Sequence, residues 1–303
     1  MSKILVSGLT NIEVTVAVDK FPVEYRAIDY SFFGVNSAPS GVGLNISAAL
    51  STLGDSVTLL SLCGSDIQGE NIKNYLSQYG INTSCILPHL KATPQSVVLY
   101  DKNGKRNIFC DLKDAQETEY DMSVFEREAK NCDAMCLCNI NFSRKMLPVA
   151  KFMNKPIISD VHVISCLDDE YNYDFMMYAD ILFLSNENIS NPRYFIRDIE
   201  KAFGNSVIIM GMGSQGSLLY TKSTDTFYEI PAVRTRKVVN TVGAGDALLS
   251  AFTHFYIGGY SAQDALRLAS LFASYNIGDK SASGGFLTEQ KLLEYYTELN
   301  MEQ

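Results

Sequence analysis

Between the basic segment RTRK and the apolar run ALLSAFTHFY lies NTVGAGD, Asn240 to Asp246. Three residues with almost no side chain, Gly243, Ala244 and Gly245, stand directly before a carboxylate. A helix is predicted from Gly243 to Ile257, closed by Gly258-Gly259, and its first-turn N–H groups have no partner inside the helix. Such an end binds anions: the helix dipole favours negative charge there, and small residues let a phosphate come close. Asp246 then has two readings. It is either an acid that merely suits a first turn, or a general base that takes a hydroxyl proton while that hydroxyl attacks a phosphoryl group held by the amides. A structural acid does not require three small neighbours, which favours the base.

Two other glycine-rich points deserve the same weighing. SGVGLN, Ser40 to Asn45, is either a plain strand-to-helix turn or a place where a polar ligand lies against the backbone of Gly41 and Gly43 while Asn45 bonds its hydroxyls. GMGSQG, Gly211 to Gly216, fits G-x-G-x-x-G after the strand SVIIM, but SLLYT and DTFYEIP follow as strands. A dinucleotide fold needs a helix there and an acid about 20 residues on, so a nicotinamide-dependent oxidoreductase is set aside in favour of a tight strand-to-strand loop near a nucleotide. Cys132, Cys136 and Cys138 sit in an apolar, strand-like run without a second half-site, which reads as buried thiols rather than a metal cluster. Asp160 and His162 in SDVHVI fall at a strand end on the ligand-binding side of such sheets; the His either orients a phosphate or finishes the strand, and the second reading is preferred.

The elements that must hold these residues alternate. Strand patterns at 3–8, 56–62, 134–138, 156–160, 180–184 and 206–210 are separated by helical runs such as 43–54 and 69–79, the rhythm of a parallel sheet covered on both faces. Two regions break it. Residues 11–21 with 28–35, and 95–112 with the hairpin signal Lys102-Asn103-Gly104-Lys105, have strand character and predict a small second sheet. Such a lid would cover a ligand or meet a second subunit. The chain has 25 Lys and Arg against 34 Asp and Glu, a formal charge of −9, which argues against gripping nucleic acid or an anionic membrane. No apolar run is long enough for a membrane span and the start, MSKILVSGL, has too short an apolar core for a signal peptide. A cytoplasmic location and reduced cysteines are expected.

With those motifs in hand, the chain resembles the ribokinase-like (PfkB) family of carbohydrate and nucleoside kinases over nearly its whole length. NTVGAGDAL is similar to the family signature D-T-x-G-A-G-D, SGVGLNISAALSTLG to its N-terminal glycine-rich signature, and CGSDIQGE to the G-x-D-x-x-G segment that follows. The resemblance implies a three-layer α/β fold with a mainly parallel sheet, as a single domain over 1–303 with a discontinuous β lid at about 11–39 and 93–113. It implies ATP and Mg²⁺, with a monovalent cation as a further option, and phosphoryl transfer to a hydroxymethyl group of a small sugar or nucleoside. Asp246 would be the base and Gly243, Ala244 and Gly245 the anion hole. Asn11, Glu13, Gly41, Gly43, Asn45 and Arg106 would meet the acceptor, and Asn186, Gly211, Gly213, Gly216, Thr241 and Asn276 the nucleotide.

Four positions depart from the pattern. Asn240 replaces the first signature Asp, the carboxylate that a monovalent-cation site would use. Ile189 stands at the Glu of N-x-x-E, with Glu187 two residues away, and Gly211 stands for Thr in the nucleotide loop. Glu13 takes the place of an acceptor-binding Asp. These motivate an alternative, a ligand-sensing protein that keeps the fold and has weakened catalysis. Metal ligands are not assigned by the sequence. Asn276 is either an adenine contact or a helix end, Lys105 is expected to be solvated, and Tyr30, Phe32 and Phe33 either stack on a nucleobase or build the lid or a dimer contact. A homodimer through the lid is the expected assembly.

Overall fold

Apolar strand residues alternate between two faces, and both faces here are covered, so each strand feeds two cores. In the computed structural model, which describes residues 1–102, 105–279 and 281–301, Ile4 and Val6 face one core and Leu5 the other. Along the chain the strands are β1 (Lys3–Ser7), β2 (Asn11–Ala17), β3 (Val35–Ser40), β4 (Ser56–Gly64), β5 (Ile86–Leu90), β6 (Gln95–Tyr100), β7 (Arg106–Asp111), β8 (Ala134–Leu137), β9 (Ile157–Val163), β10 (Ile181–Ser185), β11 (Val207–Gly211), β12 (Ser217–Thr221) and β13 (Thr226–Ile230). The helices are α1 (Val42–Leu53), α2 (Ile67–Ser77), α3 (Met122–Ala129), α4 (Asn141–Arg144), α5 (Met146–Phe152), α6 (Tyr173–Tyr178), α7 (Pro192–Phe203), α8 (Ala244–Ile257), α9 (Ala262–Asn276) and α10 (Glu289–Met301).

Nine strands form the main sheet in the order β13-β12-β11-β10-β9-β8-β1-β4-β5. All neighbours run parallel except β11 with β12 and β12 with β13. Helices α1, α8 and α9 pack on one face through Leu50, Phe252, Phe255 and Phe272, and α3, α5, α6 and α7 on the other through Phe125, Leu147, Phe175 and Ile196. This is the layered α/β fold, with its separate small sheet, that the resemblance implies. The chain moves outward from β1 to β4 and β5, then returns to β8 on the other side of β1, which makes the β1/β8 boundary a topological switch point. Crevices open there, beyond the carboxyl ends of the strands.

A separate sheet, β3-β2-β6-β7, forms the lid. Its β2/β6 pair is parallel and the outer pairs are antiparallel. Asp66 fastens its root. That carboxylate caps α2 by accepting from the Gly69 N–H at 2.9 Å and also accepts the Thr93 N–H at 2.8 Å, so the CGSDIQGE segment ties the helix to the entry of β6.

One expectation is corrected here. The stretch 28–35 is not a strand: Phe32 and Phe33 are 82% and 98% exposed, and the strand that pairs with β2 is Val35–Ser40. Pro39 is tolerated because β3 is an edge. The Asn103-Gly104 part of the hairpin signal lies outside the described residues. Elsewhere β12 and β13 follow Gly216 with no helix between, which removes the dinucleotide-binding reading of GMGSQG.

Candidate active site

The switch point is kept narrow by glycines. Gly8, just past β1, lies so near Cys138, just past β8, that a Cβ on it would meet Sγ at 2.7 Å and the Gly43 Cα at 2.8 Å. Gly43 in turn donates its N–H to the Leu9 carbonyl at 2.9 Å. It packs α1 closely on the end of β1, with its donor already used. Gly41 caps α1 at φ 106°, a conformation open to glycine at little cost, and a side chain there would run into the Leu9 carbonyl.

Helix α8 begins one residue later than expected. Gly243 is its N-cap, at φ 84°, and a Cβ there would lie 2.6 Å from the Ala282 carbonyl. Ala244 donates weakly to the Thr241 carbonyl at 3.4 Å, whereas the N–H groups of Gly243, Gly245 and Asp246 have no partner among the described residues. The open donors are therefore Gly243, Gly245 and Asp246, with Ala244 half committed to the turn.

The two helix starts meet through their side chains. Asn45 Nδ2 of α1 donates to Asp246 Oδ2 of α8 at 2.7 Å, and Ser40 Oγ donates to Asn45 Oδ1 at 3.5 Å. Ser40 also bonds Glu13, which is buried on the inner face of the lid, while Cys110 and Arg106 on the same face of β7 are exposed. Glu13, Ser40, Asn45 and Asp246 thus make one polar row from lid to α8. Burial pushes the Asp246 carboxyl up to about 6, against the Asn45 hydrogen bond and the His162 charge, while Asp160 and Glu13 add repulsion. Burial likewise raises Glu13, opposed by the Ser40 bond and the Arg106 charge. A carboxyl held near 6 is mostly ionised at neutral pH and still basic enough to take a hydroxyl proton. Its Oδ1 has no hydrogen-bond partner among the described residues.

The remaining site residues divide into near and far. Arg106 reaches from β7 to the turn before α8, donating from Nη1 to Thr241 Oγ1 at 3.3 Å. Asn11 is buried with Nδ2 on Ser96 Oγ at 3.0 Å and Oδ1 unpaired. Asn186 and Gly211 sit side by side at the ends of β10 and β11, the Asn186 N–H donating to the Gly211 carbonyl at 2.9 Å. Gly213 and Gly216 continue that edge, Gly213 with open space where a side chain would be and Gly216 pressed on Ile230. Asn276 lies deeper: its Nδ2 donates to the Ala282 and Gly284 carbonyls at 3.0 and 2.9 Å, and its Oδ1 is unpaired. It braces the loop that backs Gly243, which fits the helix-end reading. Lys105 places Nζ 5.8 Å from the Phe21 ring centroid. Sequence reasoning passed over Ser40 and Ser283; Ser283 Oγ donates to the Pro39 carbonyl at 3.3 Å and links that loop to the lid. Neither carries a motif that would announce it.

The same geometry bears on the cation sites that the resemblance implies. Ile189 packs against the second core and Glu187 is exposed on the turn after β10, so no carboxylate replaces the missing one. Asn240 Oδ1 accepts the Val242 N–H at 2.9 Å and brings no charge. Neither position offers the carboxylate of the family pattern. Among the described residues no group of three or more His, Cys, Asp or Glu is placed to hold a metal, and Cys132, Cys136 and Cys138 are buried free thiols. Among them, too, no helix is long and apolar enough to cross a membrane.

Comparison with known proteins agrees with this geometry. A model of the pfkB family of carbohydrate kinases matches residues 1–289. A nucleoside kinase of Methanocaldococcus jannaschii is 25% identical over 301 residues, covering 97% of this chain and 96% of its own. Among solved structures, a microbiome-derived acarbose kinase superposes with a TM-score of 0.86 at 21% identity, covering 97% of this chain and 98% of its own. Arabidopsis thaliana ribokinase complexed with ribose and ATP gives 0.77 at 19% identity, with the same coverage of 97% and 98%.

Proposed function

The chain belongs to the pfkB family of carbohydrate kinases, and from that membership we propose that it transfers the γ-phosphoryl group of ATP to a hydroxymethyl group of a small sugar or nucleoside, with Asp246 as the base. The observation that carries the reading is the 2.7 Å contact between Asn45 and Asp246, which aims one carboxylate at the mouth of an anion-binding helix. Nucleotide as donor is supported by the ribokinase relative solved with ribose and ATP, and the acceptor class by relatives that act on sugars and on nucleosides.

The proposed reaction follows from the row of polar groups. The acceptor lies between Asn11 and Glu13 of the lid and Asn45, with its hydroxyl on Asp246 Oδ1. As the hydroxyl oxygen bonds to the γ-phosphorus, its proton passes to Asp246 and the bond to the β–γ bridging oxygen breaks, leaving ADP. The free N–H groups of Gly243, Gly245 and Asp246 meet the charge that develops on the transferring group, and Arg106 with Thr241 stands beside it. The nucleotide lies along Asn186, Gly211, Gly213 and Gly216. Magnesium bound to the nucleotide supplies charge neutralisation on the phosphates; no step here runs through it, nor through a monovalent cation. The lid, taken as 11–39 with 93–113 of one domain spanning 1–303, closes over the acceptor and excludes water.

The lid is also proposed to join a second copy. Val14, Val97 and Phe109 form one row across its outer face, and β7 is exposed along its whole length as an edge strand. A monomeric mass in solution at micromolar concentration would reject this. A cytoplasmic setting is proposed with it, supported by seven free cysteines. The sensor alternative is not favoured, since a binder has no use for a base fixed at the anion turn.

The test is ADP release from ATP and Mg²⁺ across pentoses, hexoses and nucleosides, with Asp246→Asn as control. We expect acceptor-dependent release from the wild type and a drop of roughly 10³-fold or more in the variant, with ATP binding kept. Wild-type turnover in Asp246→Asn would remove that residue from the mechanism.

A further inference from the structure

Asp160 and His162 look unpaired in sequence, yet residues i and i+2 on a strand project from one face. At the end of β9 the His162 N–H donates to Asp160 Oδ1 at 2.8 Å, and His162 Nδ1 lies 3.5 Å from Asp160 Oδ2. The backbone of His162 turns left-handed, at φ 55°, which is uncommon outside glycine and brings the residue back over the carboxylate. The same Asp160 Oδ2 lies 3.7 Å from where a Cβ on Gly245 would sit, so the pair borders the anion turn. Its Asp is nearly buried, while the His side chain is 44% exposed, and Nε2 donates to no group among the described residues.

Charge explains why such a pair matters. Asp160, Asp246 and Glu13 all act on this cleft, and three carboxylates oppose an incoming polyphosphate. Asp160 raises His162 to about 9, against burial, and Asp246 adds to it. Burial would raise Asp160, but the His162 charge and its two hydrogen bonds bring the carboxyl below its usual range. The groups facing His162 are Asp160 on its own strand and Asp246 on α8, with Glu13 of the lid beyond. On α6, which packs against β9, Asp174 is already bonded by Arg144 Nη1 at 2.8 Å; β10 places only Ser185 beside Val163, and β8 ends at the buried thiol of Cys138.

Resting on the kinase reading above, we propose that His162, oriented by Asp160, donates from Nε2–H to the phosphoryl group in transit and supplies a fixed positive charge at the anion turn. With no carboxylate at Ile189 or Asn240, positive charge at the turn from the protein itself falls to cationic side chains such as Arg106 and His162. Asp160 is then a positioning residue that acts through the imidazole.

The experiment is steady-state ADP release by the full chain from pH 5 to 10, for the wild type, His162→Gln and His162→Arg, with melting temperature and ATP binding as checks on folding. In His162→Gln, kcat is expected to fall roughly 10- to 100-fold, as loss of a charge-assisted hydrogen bond implies, with acceptor KM within about twofold. The alkaline limb of the wild-type profile, centred near 9 where His162 loses its proton, disappears. His162→Arg restores much of kcat and shows no alkaline limb, because guanidinium stays charged. A His162→Gln enzyme with wild-type kcat, or an alkaline limb that persists in both variants, overturns the assignment while Asp246→Asn still tests the base. A wild type that releases no ADP with any acceptor overturns the kinase reading and this assignment with it.

Discussion

The two halves of the cleft are built on different principles. On the side proposed for the acceptor, Glu13, Ser40, Asn45 and Asp246 form a row of polar side chains, joined by contacts from Ser40 to Asn45 and from Asn45 to Asp246 at 3.5 and 2.7 Å. On the side proposed for the nucleotide, Asn186, Gly211, Gly213 and Gly216 offer mainly backbone at the ends of two strands. Three of the four departures from the family pattern, at Ile189, Gly211 and Asn240, fall on the donor side or on the turn that leads to it. The fourth, Glu13, keeps its charge. A grip made of main-chain groups tolerates changes of side chain, whereas a row of side chains tolerates few, and that contrast can be broken or sharpened by substitution.

The largest effect expected, beyond Asp246→Asn itself, is at the anion turn that both halves share. Gly243→Ala puts a Cβ 2.6 Å from the Ala282 carbonyl on a backbone at φ 84°. The turn must shift, and its donors with it. We expect kcat to fall by about 10²- to 10³-fold, as when an oxyanion donor is misplaced, with acceptor KM little changed. A fall below about tenfold would mean that the open N–H groups do not carry the transferring charge.

Asn45→Ala comes next, because it acts on the base through one hydrogen bond. That bond stabilises the ionised carboxylate, so its loss raises the Asp246 carboxyl above its present value near 6. The base form is present above its pKa and lost below, so the acid limb of kcat/KM moves to higher pH by about one unit. Recovery of wild-type kcat/KM at pH 9 would show that Asn45 acts only through Asp246. A uniform loss of about tenfold at all pH values would show that it also holds the acceptor.

What the sequence disclosed follows the same division. The anion turn was legible because its parts are consecutive residues, and the main sheet because its strands are apolar runs at regular intervals. The contact between Asn45 and Asp246 was not, since the two are 201 residues apart and no spacing rule joins separate helices. The Asp160 and His162 pair was not legible either: no nearby partner stands out in sequence, which favours the strand-end reading, and the contact depends on the left-handed backbone of His162. The lid strand was misplaced for a physical reason: 28–35 is rich in aromatic residues and reads as a strand, while Val35–Ser40, with Ala38 and Pro39, does not. Pairing with β2 and an edge position decided it, and neither is a local property.

The smallest effect is predicted on the donor side, at Gly211→Thr, which restores the family's usual residue. Gly211 ends β11 without a left-handed backbone, and an added Cβ would meet only the Leu184 carbonyl at 3.8 Å, an ordinary contact. The side chain is therefore accommodated without moving the strand, and the Gly211 carbonyl keeps its bond from the Asn186 N–H. One added hydroxyl contributes at most about 1 kcal/mol to a bound nucleotide, so KM for ATP should fall by no more than roughly fivefold, with kcat and acceptor KM unchanged. A larger gain in ATP affinity would show that the donor side had been limited by a single side chain after all, and the backbone-grip account of its tolerance would give way. A rise in KM would place the nucleotide closer to β11 than the open space beside Gly213 suggests, with the threonine in its path.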